Sequence, residues 1–475
     1  MARPEHGTLY QIFARIWLDE LSRAAGRRLT LAEVPDAELD ALAACGFDWL
    51  YLLGVWTLGR EGPPISRSLP ELRRGYDQML PGWSEADVVG SPFAVARYAV
   101  EPSLGGDAAL ASLRGRLAQR GIGLVLDFVP NHTARDHDWV RERPELYVRD
   151  AAGAVACGRD PFFPPWTDTA QLDVRREATQ AALVEALCAV AARADGARCD
   201  MAMLVLADVF ARTWAALPAL EPGAAAGGEL WARAIDAVRA RHPDFLFIAE
   251  AYGDREWRLQ LLGFDYTYDK RLYDRLVHAP GEVRGHLGAS ADYQRRSVRF
   301  LENHDEPRIA SLLDFGRQRA AAGLAFTVPG LRFLHDGELD GRRVRASVHL
   351  ARRKAEPVDA ARRAFYAQLL EVLRLPALRA GRFATLTPAG PDTLFAHRWD
   401  HPEGAVIVVV AYGPEAVRGR VALDLPGLAG RRVVLRDRLT GALTEHDGDA
   451  LVDPARGLLV ELPAWGLAVL ERVPS

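Results

Sequence analysis

A surplus of positive charge is the first thing this sequence lacks. Its 59 lysines and arginines are outnumbered by 63 aspartates and glutamates, for a formal net charge of −4. That balance builds no extended positive field of the kind that holds nucleic acid or an anionic membrane. Long apolar runs are also missing, so no stretch is long enough to span a bilayer. The opening MARPEHGTLYQIFARIW has no basic segment followed by an apolar one, as a secretory leader would. A cytoplasmic protein with neither nucleic acid nor membrane as partner is the expectation. Cys45, Cys157, Cys188 and Cys199 lie far apart or in apolar segments, without the close Cys/Cys or Cys/His spacing of zinc sites. Reduced thiols are expected, with no disulfide and no structural metal. Internal repeats, low-complexity tracts and flexible linkers are absent too, which excludes a solenoid.

What is present is an ordinary globular composition, 49% hydrophobic and 26% charged, over 475 residues. That length exceeds what one core usually organises and predicts a large domain with at least one smaller one. Up to about residue 375, short β-branched or aromatic runs alternate with helical patterns, as in repeated strand–helix units around a parallel sheet. Candidate strands begin at Leu9, Asp48, Gly123, Gly196, Phe245, Gly263, Ser297 and Gly330. Eight of them predict a closed (β/α)8 TIM barrel. Leu110, Leu113 and Leu117 give DAALASLRGRLAQRG one apolar helical face, with Gly121 to end it. VDAARRAFYAQLLEVLR has the same character and supplies an eighth barrel helix before Pro376.

Two long interruptions, residues 55–106 and 133–175, are expected to be functional or separately folded. Beyond Arg382 strand-like runs such as TLFAHRW, AVIVVVAYG and GLLVELP, separated by Gly, Pro and Asp, predict an antiparallel β-sandwich. The predicted organisation is a barrel over 1–132 and 176–380, a short excursion domain after strand 3 over 133–175, and a C-terminal sandwich over 381–475.

In a parallel barrel the reacting groups sit where strands end. Four strand ends carry acids: LVLDFVPNH with Asp127, Asn131 and His132; GARCDMA with Arg198 and Asp200; FLFIAEAYG with Glu250; and RFLENHDEPR with Glu302, Asn303, His304 and Asp305. Any one of them has a bland reading as a helix cap or a turn. Arg198 and Asp200 are two apart on a strand and so share a face, where the guanidinium keeps the carboxylate ionised. A structural ion pair would look the same, and it is the succession of four acid-bearing strand ends that favours chemistry.

Those four segments resemble the ordered signature regions of the α-amylase family of glycoside hydrolases. DTAQLDVRR resembles the family's short motif closing its excursion domain, and PGLRFLHDGE its eighth-strand motif. The resemblance implies a retaining reaction with Asp200 as nucleophile, Glu250 as general acid/base and Asp305 stabilising the distorted sugar. It implies that His132 and His304 contact the same ring, that Arg198 fixes Asp200, and that Asp127 orients Arg198. No cofactor is required on this reading. Asn131 matches a calcium ligand of those family members that bind the ion, but the remaining ligands have no counterpart here, so calcium stays doubtful.

The sequence also departs from the family. Starch-degrading members commonly carry a Lys-His pair after the nucleophile, where this chain has Met201-Ala202-Met203, read as core packing. The usual Gly-Tyr pair before strand 3 is replaced by GSPFA from Gly90, closer to the maltosyltransferase branch; Phe93 either supplies the stacking ring or, the readier reading, is a buried core residue. Trp56, Trp83 and Trp166 either stack on sugars or pack loops. The expected partner is an α-linked oligosaccharide or small glucoside. Hydrolysis competes with transfer to a sugar or phosphate acceptor, for which Arg60, Arg67, Arg73 and Arg74 offer either a phosphate grip or a solvated surface. A glucan-binding member without activity is disfavoured because all three acids are present.

Overall fold

Eight parallel strands close on themselves in the computed structural model, which describes residues 4–425 and 427–473. They are β1 (Thr8–Phe13), β2 (Trp49–Leu53), β3 (Gly123–Phe128), β4 (Gly196–Cys199), β5 (Leu246–Ala249), β6 (Tyr266–Tyr268), β7 (Ser297–Arg299) and β8 (Leu331–His335). Each pairs with its neighbour in the chain, and β8 pairs with β1. All are buried along nearly their whole length, as strands covered on both faces must be, which is why they read as continuous apolar runs. All eight expected strands are present.

The covering helices present the predicted faces. Helix Gly106–Ala118 buries Leu110, Leu113 and Leu117, and the chain then reverses through Gly121, whose φ of +76° puts it where a side chain would be strained. Helix Ala360–Leu373 starts at Asp359, whose carboxylate accepts the amides of Ala361 and Arg362. Pro376 opens a further short helix, Pro376–Ala380, where its missing N–H costs nothing.

The segment 55–106 contains a hairpin of Trp56–Leu58 with Val95–Val100 and two helices, Gly62–Ser68 and Pro70–Met79. Tyr76, Leu80 and Val88 form a small separate core with Leu350 from the segment after β8. The two segments are joined by the Val89 amide donating to the His349 carbonyl at 2.9 Å. Over 133–175 the chain makes a hairpin-based excursion in which His132–Ala134 pairs antiparallel with Thr169–Gln171. Both excursions therefore rise from the carboxyl ends of the barrel strands.

The C-terminal part is an antiparallel six-stranded sheet faced by the pair Val417–Val421 and Leu458–Leu462. The runs TLFAHRW, AVIVVVAYG and GLLVELP are all strands, whereas Arg382–Leu386 and Leu443–Asp447 form the two sheet edges, the latter almost fully exposed. Leu443–Asp447, largely polar, carries no apolar alternation to read. The sandwich packs directly on the barrel: Trp399 is fully buried and its indole N–H donates to the Thr327 carbonyl at 2.7 Å. No helix among the described residues is long and apolar enough to cross a membrane.

Candidate active site

Strand register brings the acids together. Asp127 on β3 is level with Arg198 on β4, and Cys199 is level with Ala249 on β5, so Asp200 and Glu250 leave adjacent strands at the same height. The ladder continues one step beyond each strand: the Asp200 amide donates to the Phe128 carbonyl at 2.8 Å and the Glu250 amide to the Cys199 carbonyl at 3.0 Å. Both carboxylates are thus fixed by backbone belonging to the barrel rather than to a loop.

Arg198, 1% exposed, lies at the centre. Its Nη1 stands 2.6 Å from Asp200 Oδ1 and 3.5 Å from Asp127 Oδ1, and its Nη2 stands 2.8 Å from Glu250 Oε2. The sequence paired it with Asp200 by spacing and with Asp127 by resemblance; the structure adds Glu250 as a third carboxylate. One guanidinium cannot balance three acids in a buried place. Burial therefore pushes each carboxyl up against the opposing pull of Arg198: Asp127 and Asp200 to about 6 and Glu250 to about 7. Asp127 Oδ1 is also held by the Tyr51 hydroxyl at 2.5 Å. Its carbonyl takes the Trp56 indole N–H at 2.8 Å, so the fully buried Trp56 packs and is no sugar platform.

Glu250 is held on both oxygens. Oε2 accepts the Met201 amide at 2.7 Å and lies in ion-pair contact with Arg198 Nη2, and Oε1 accepts the Tyr252 hydroxyl at 2.8 Å. Met201, whose amide makes this bond, has a left-handed φ of +41°, a strained conformation for a non-glycine residue. Met203 and Ala202 are core, as expected, but the Met201 backbone belongs to the site.

Asp305 sits across from these groups on the turn after β7, with nearly half of its side chain exposed where Asp200 and Glu250 are buried. Buried Asn303 fixes that turn, its Oδ1 accepting the amides of Asp305 and Glu306 at 2.8 and 3.0 Å. His304 Nδ1 takes the Gln11 side-chain amide at 2.8 Å, which leaves Nε2 carrying the hydrogen, 3.1 Å from Asp305 Oδ2. Burial lowers this imidazole to about 4, so it is neutral at pH 7. His132, similarly lowered to about 4, bonds the Phe93 carbonyl and lies 5.2 Å from the Trp166 ring. The Phe93 ring itself stands 5.5 Å from the His304 ring and 5.2 Å from the Arg198 guanidinium, over the site rather than in the core.

All seven residues singled out in the sequence (Asp127, His132, Arg198, Asp200, Glu250, His304 and Asp305) thus converge at one end of the barrel. Sequence reasoning missed Tyr252, Gln11 and Tyr51. Gln11 had a signal, as the one amide in an apolar strand, and strand parity places it inside the barrel; Tyr252 had none beyond lying two residues from an acid. Trp83 donates its indole N–H to Asp77 within the small helical segment, and Arg60, Arg73 and Arg74 are exposed. Among the described residues no group of three or more His, Cys, Asp or Glu is arranged to hold a metal ion. Asn131 does not offer a free ligand either, since Gln171 Nε2 donates to its Oδ1 at 3.0 Å.

Residues 94–151 match the family model "Alpha amylase, catalytic domain". An α-amylase of Haloarcula japonica is 26% identical over 355 residues, covering 70% of this chain and 49% of that protein. An α-1,4-glucan:maltose-1-phosphate maltosyltransferase of Streptomyces coelicolor is 26% identical over 450 residues, covering 87% of this chain and 60% of its own length. The chain therefore spans about half to three-fifths of these relatives. An α-amylase structure from Lactobacillus plantarum superposes with a TM-score of 0.70 at 21% identity, covering 99% of both chains, a likeness of fold.

Proposed function

We propose that this chain is an α-amylase-family enzyme, retaining in mechanism, that acts on α-glucosidic bonds of short glucans, disaccharides or small glucosides, a reading supported by the matching family model, the α-amylase relative and the shared fold. The observation that carries the reading is the single Arg198 guanidinium touching both Asp200 and Glu250 from adjacent strands. A pair bridged so tightly fits the roughly 5–5.5 Å spacing of retaining glycosidases better than the wider gap that admits a water in inverting ones.

Asp200, hydrogen-bonded to Arg198, attacks the anomeric carbon. Glu250, its carboxyl raised by burial, gives a proton to the departing oxygen and then takes one from the incoming acceptor. Three carboxylates against one guanidinium leave the cluster negative, which favours the positive charge that develops on the sugar ring in the transition state. Asp305, open to the mouth, bonds the hydroxyls of the arriving sugar, with neutral His304 beside it; His132 and Phe93 border the same ring. Asp127 positions Arg198 and is not itself a reacting group. No metal or cofactor enters these steps.

Transfer to a sugar or phosphate acceptor is the second reading, favoured by the maltosyltransferase relative that aligns over 87% of this chain. The acids serve both outcomes, and only the nucleophile entering the second half-reaction differs. Profiling products from a panel of α-glucosides, with and without phosphate and sugar acceptors, separates the two. Reducing sugar released without an acceptor is the expected result. Redistributed chain lengths or a sugar phosphate without net reducing-sugar gain would replace hydrolysis by transfer, and product still formed by Asp200→Asn would sink both.

A further inference from the structure

Glu250 presents two chemically unequal oxygens. Oε2 meets only donors, the Met201 amide at 2.7 Å and Arg198 Nη2 at 2.8 Å. Neither donor has a lone pair to offer, so a proton on Oε2 would face two other hydrogens, one of them on a cation. Oε1 meets the Tyr252 hydroxyl at 2.8 Å, a group that donates or accepts by turning about its C–O bond. The remaining charged or titratable groups facing Glu250 come from the neighbouring strands: Asp200 beyond β4, Asp127 on β3, Asp305 beyond β7 and Tyr268 on β6. None of them is hydrogen-bonded to Oε1.

We propose that Tyr252 is the resting partner of the proton that Glu250 delivers, and that the pair selects Oε1 as the delivering oxygen. The inference rests on the glycosidase reading above and adds to it a positioning residue and a direction. With Glu250 ionised, the Tyr252 O–H donates to Oε1; with Glu250 protonated, Oε1–H donates to the Tyr252 oxygen. As a substrate reacts, the Oε1–H bond breaks and its proton goes to the leaving oxygen while the C1–O bond breaks and the bond from C1 to Asp200 forms. The Tyr252 hydroxyl turns back to donate to the new carboxylate. In the second half, Oε1 takes the proton of the water or sugar hydroxyl that attacks C1 as Asp200 departs, and the turn repeats. Tyr252 neither gains nor loses a proton in the cycle. Its environment agrees, since burial and the adjacent carboxylates raise this phenol well above its ordinary range and keep it protonated. The leaving oxygen must approach Oε1, so the leaving group passes beside Tyr252.

The test is Tyr252→Phe in the full chain, assayed with maltotriose, whose leaving group needs a proton, and with α-glucosyl fluoride, whose leaving group needs little help. The expected result is about a tenfold loss of kcat/KM on maltotriose, a part of the roughly 10²–10⁴-fold that acid–base assistance contributes because Glu250 itself remains, and less than about a threefold change on the fluoride. The basic limb of the maltotriose pH profile moves up by about one unit, because a carboxylate that loses a donor holds its proton more tightly. Replacing Tyr252 with 3-fluorotyrosine, a stronger donor of nearly the same shape, moves that limb the opposite way and guards against misfolding of the Phe variant. Equal losses on both substrates with an unmoved limb would make Tyr252 a packing residue and overturn the proposal, as would wild-type behaviour in both variants. Turnover that survives Asp200→Asn would instead overturn the glycosidase reading, whatever Tyr252 does.

Discussion

Arg198 is asked to neutralise more charge than it carries. Asp127, Asp200 and Glu250 are each at most 5% exposed, and all three are raised because the folded chain binds their protons more tightly than the unfolded chain would. A carboxyl raised in the fold stabilises most below its unfolded value near 4, and that contribution is lost as pH rises through the folded value, here about 6 to 7. The crowding of these three acids around one guanidinium therefore costs stability at neutral pH. Asp200→Asn and Glu250→Gln are expected to be inactive yet more stable than wild type at pH 7.5, by roughly 1–3 kcal/mol, with the gap closing toward pH 5. Denaturant unfolding at the two pH values measures this; a variant less stable than wild type at pH 7.5 would mean that Arg198 fully compensates the acids. At this scale the sequence was legible wherever a polar residue followed an apolar strand run, as for Asp127, Asp200, Glu250 and Asp305. It was illegible where the useful atom is backbone, as in Met201, or where a ring reads equally well as core, as with Phe93.

The turn after β7 shows how one element carries two tasks. Its outer residues, His304 and Asp305, face the site, while Glu302 and Arg308 form a fully buried ion pair beneath them, Nη1 to Oε1 at 2.5 Å. Glu302 Oε2 also takes the Ile309 amide at 2.7 Å, and Arg308 Nη2 donates to the Asp336 carbonyl at 2.8 Å, stapling the turn to the end of β8. Removing one partner leaves the other charge buried without compensation. Arg308→Met is accordingly expected to cost about 3–5 kcal/mol in urea unfolding and to lower kcat through displacement of Asp305, whereas Glu302→Leu with Arg308→Met recovers most of the stability. A single variant that unfolds like wild type would show the pair to be dispensable. Glu302 illustrates the limit of motif reading: it stands in the same acid-rich segment as Asp305, and only side-chain direction after β7 separates the structural acid from the one at the mouth.

Across the whole molecule, eight-fold alternation of strand and helix made the barrel legible, because each strand is buried on both faces and each helix shows one apolar stripe. The sandwich was legible for the same reason in its central strands and lost at its polar edges. The assembly of segments 55–106, 133–175 and 336–359 around the barrel mouth was not legible, since it depends on contacts such as Val88 with Leu350 and Val89 with His349, more than 250 residues apart in the chain. Those segments border the approach to Asp305, while the barrel alone sets the register of Asp200 and Glu250. The central claim, double displacement through Asp200, is tested most directly by incubating the protein with a slow fluorosugar inactivator such as 5-fluoro-α-glucosyl fluoride and mapping the adduct by peptide mass spectrometry. One fluoroglucosyl group on the peptide bearing Asp200, absent in Asp200→Asn and present in Tyr252→Phe, is the predicted result. A turning-over enzyme that yields no adduct, or one attached to a different carboxylate, would contradict the account.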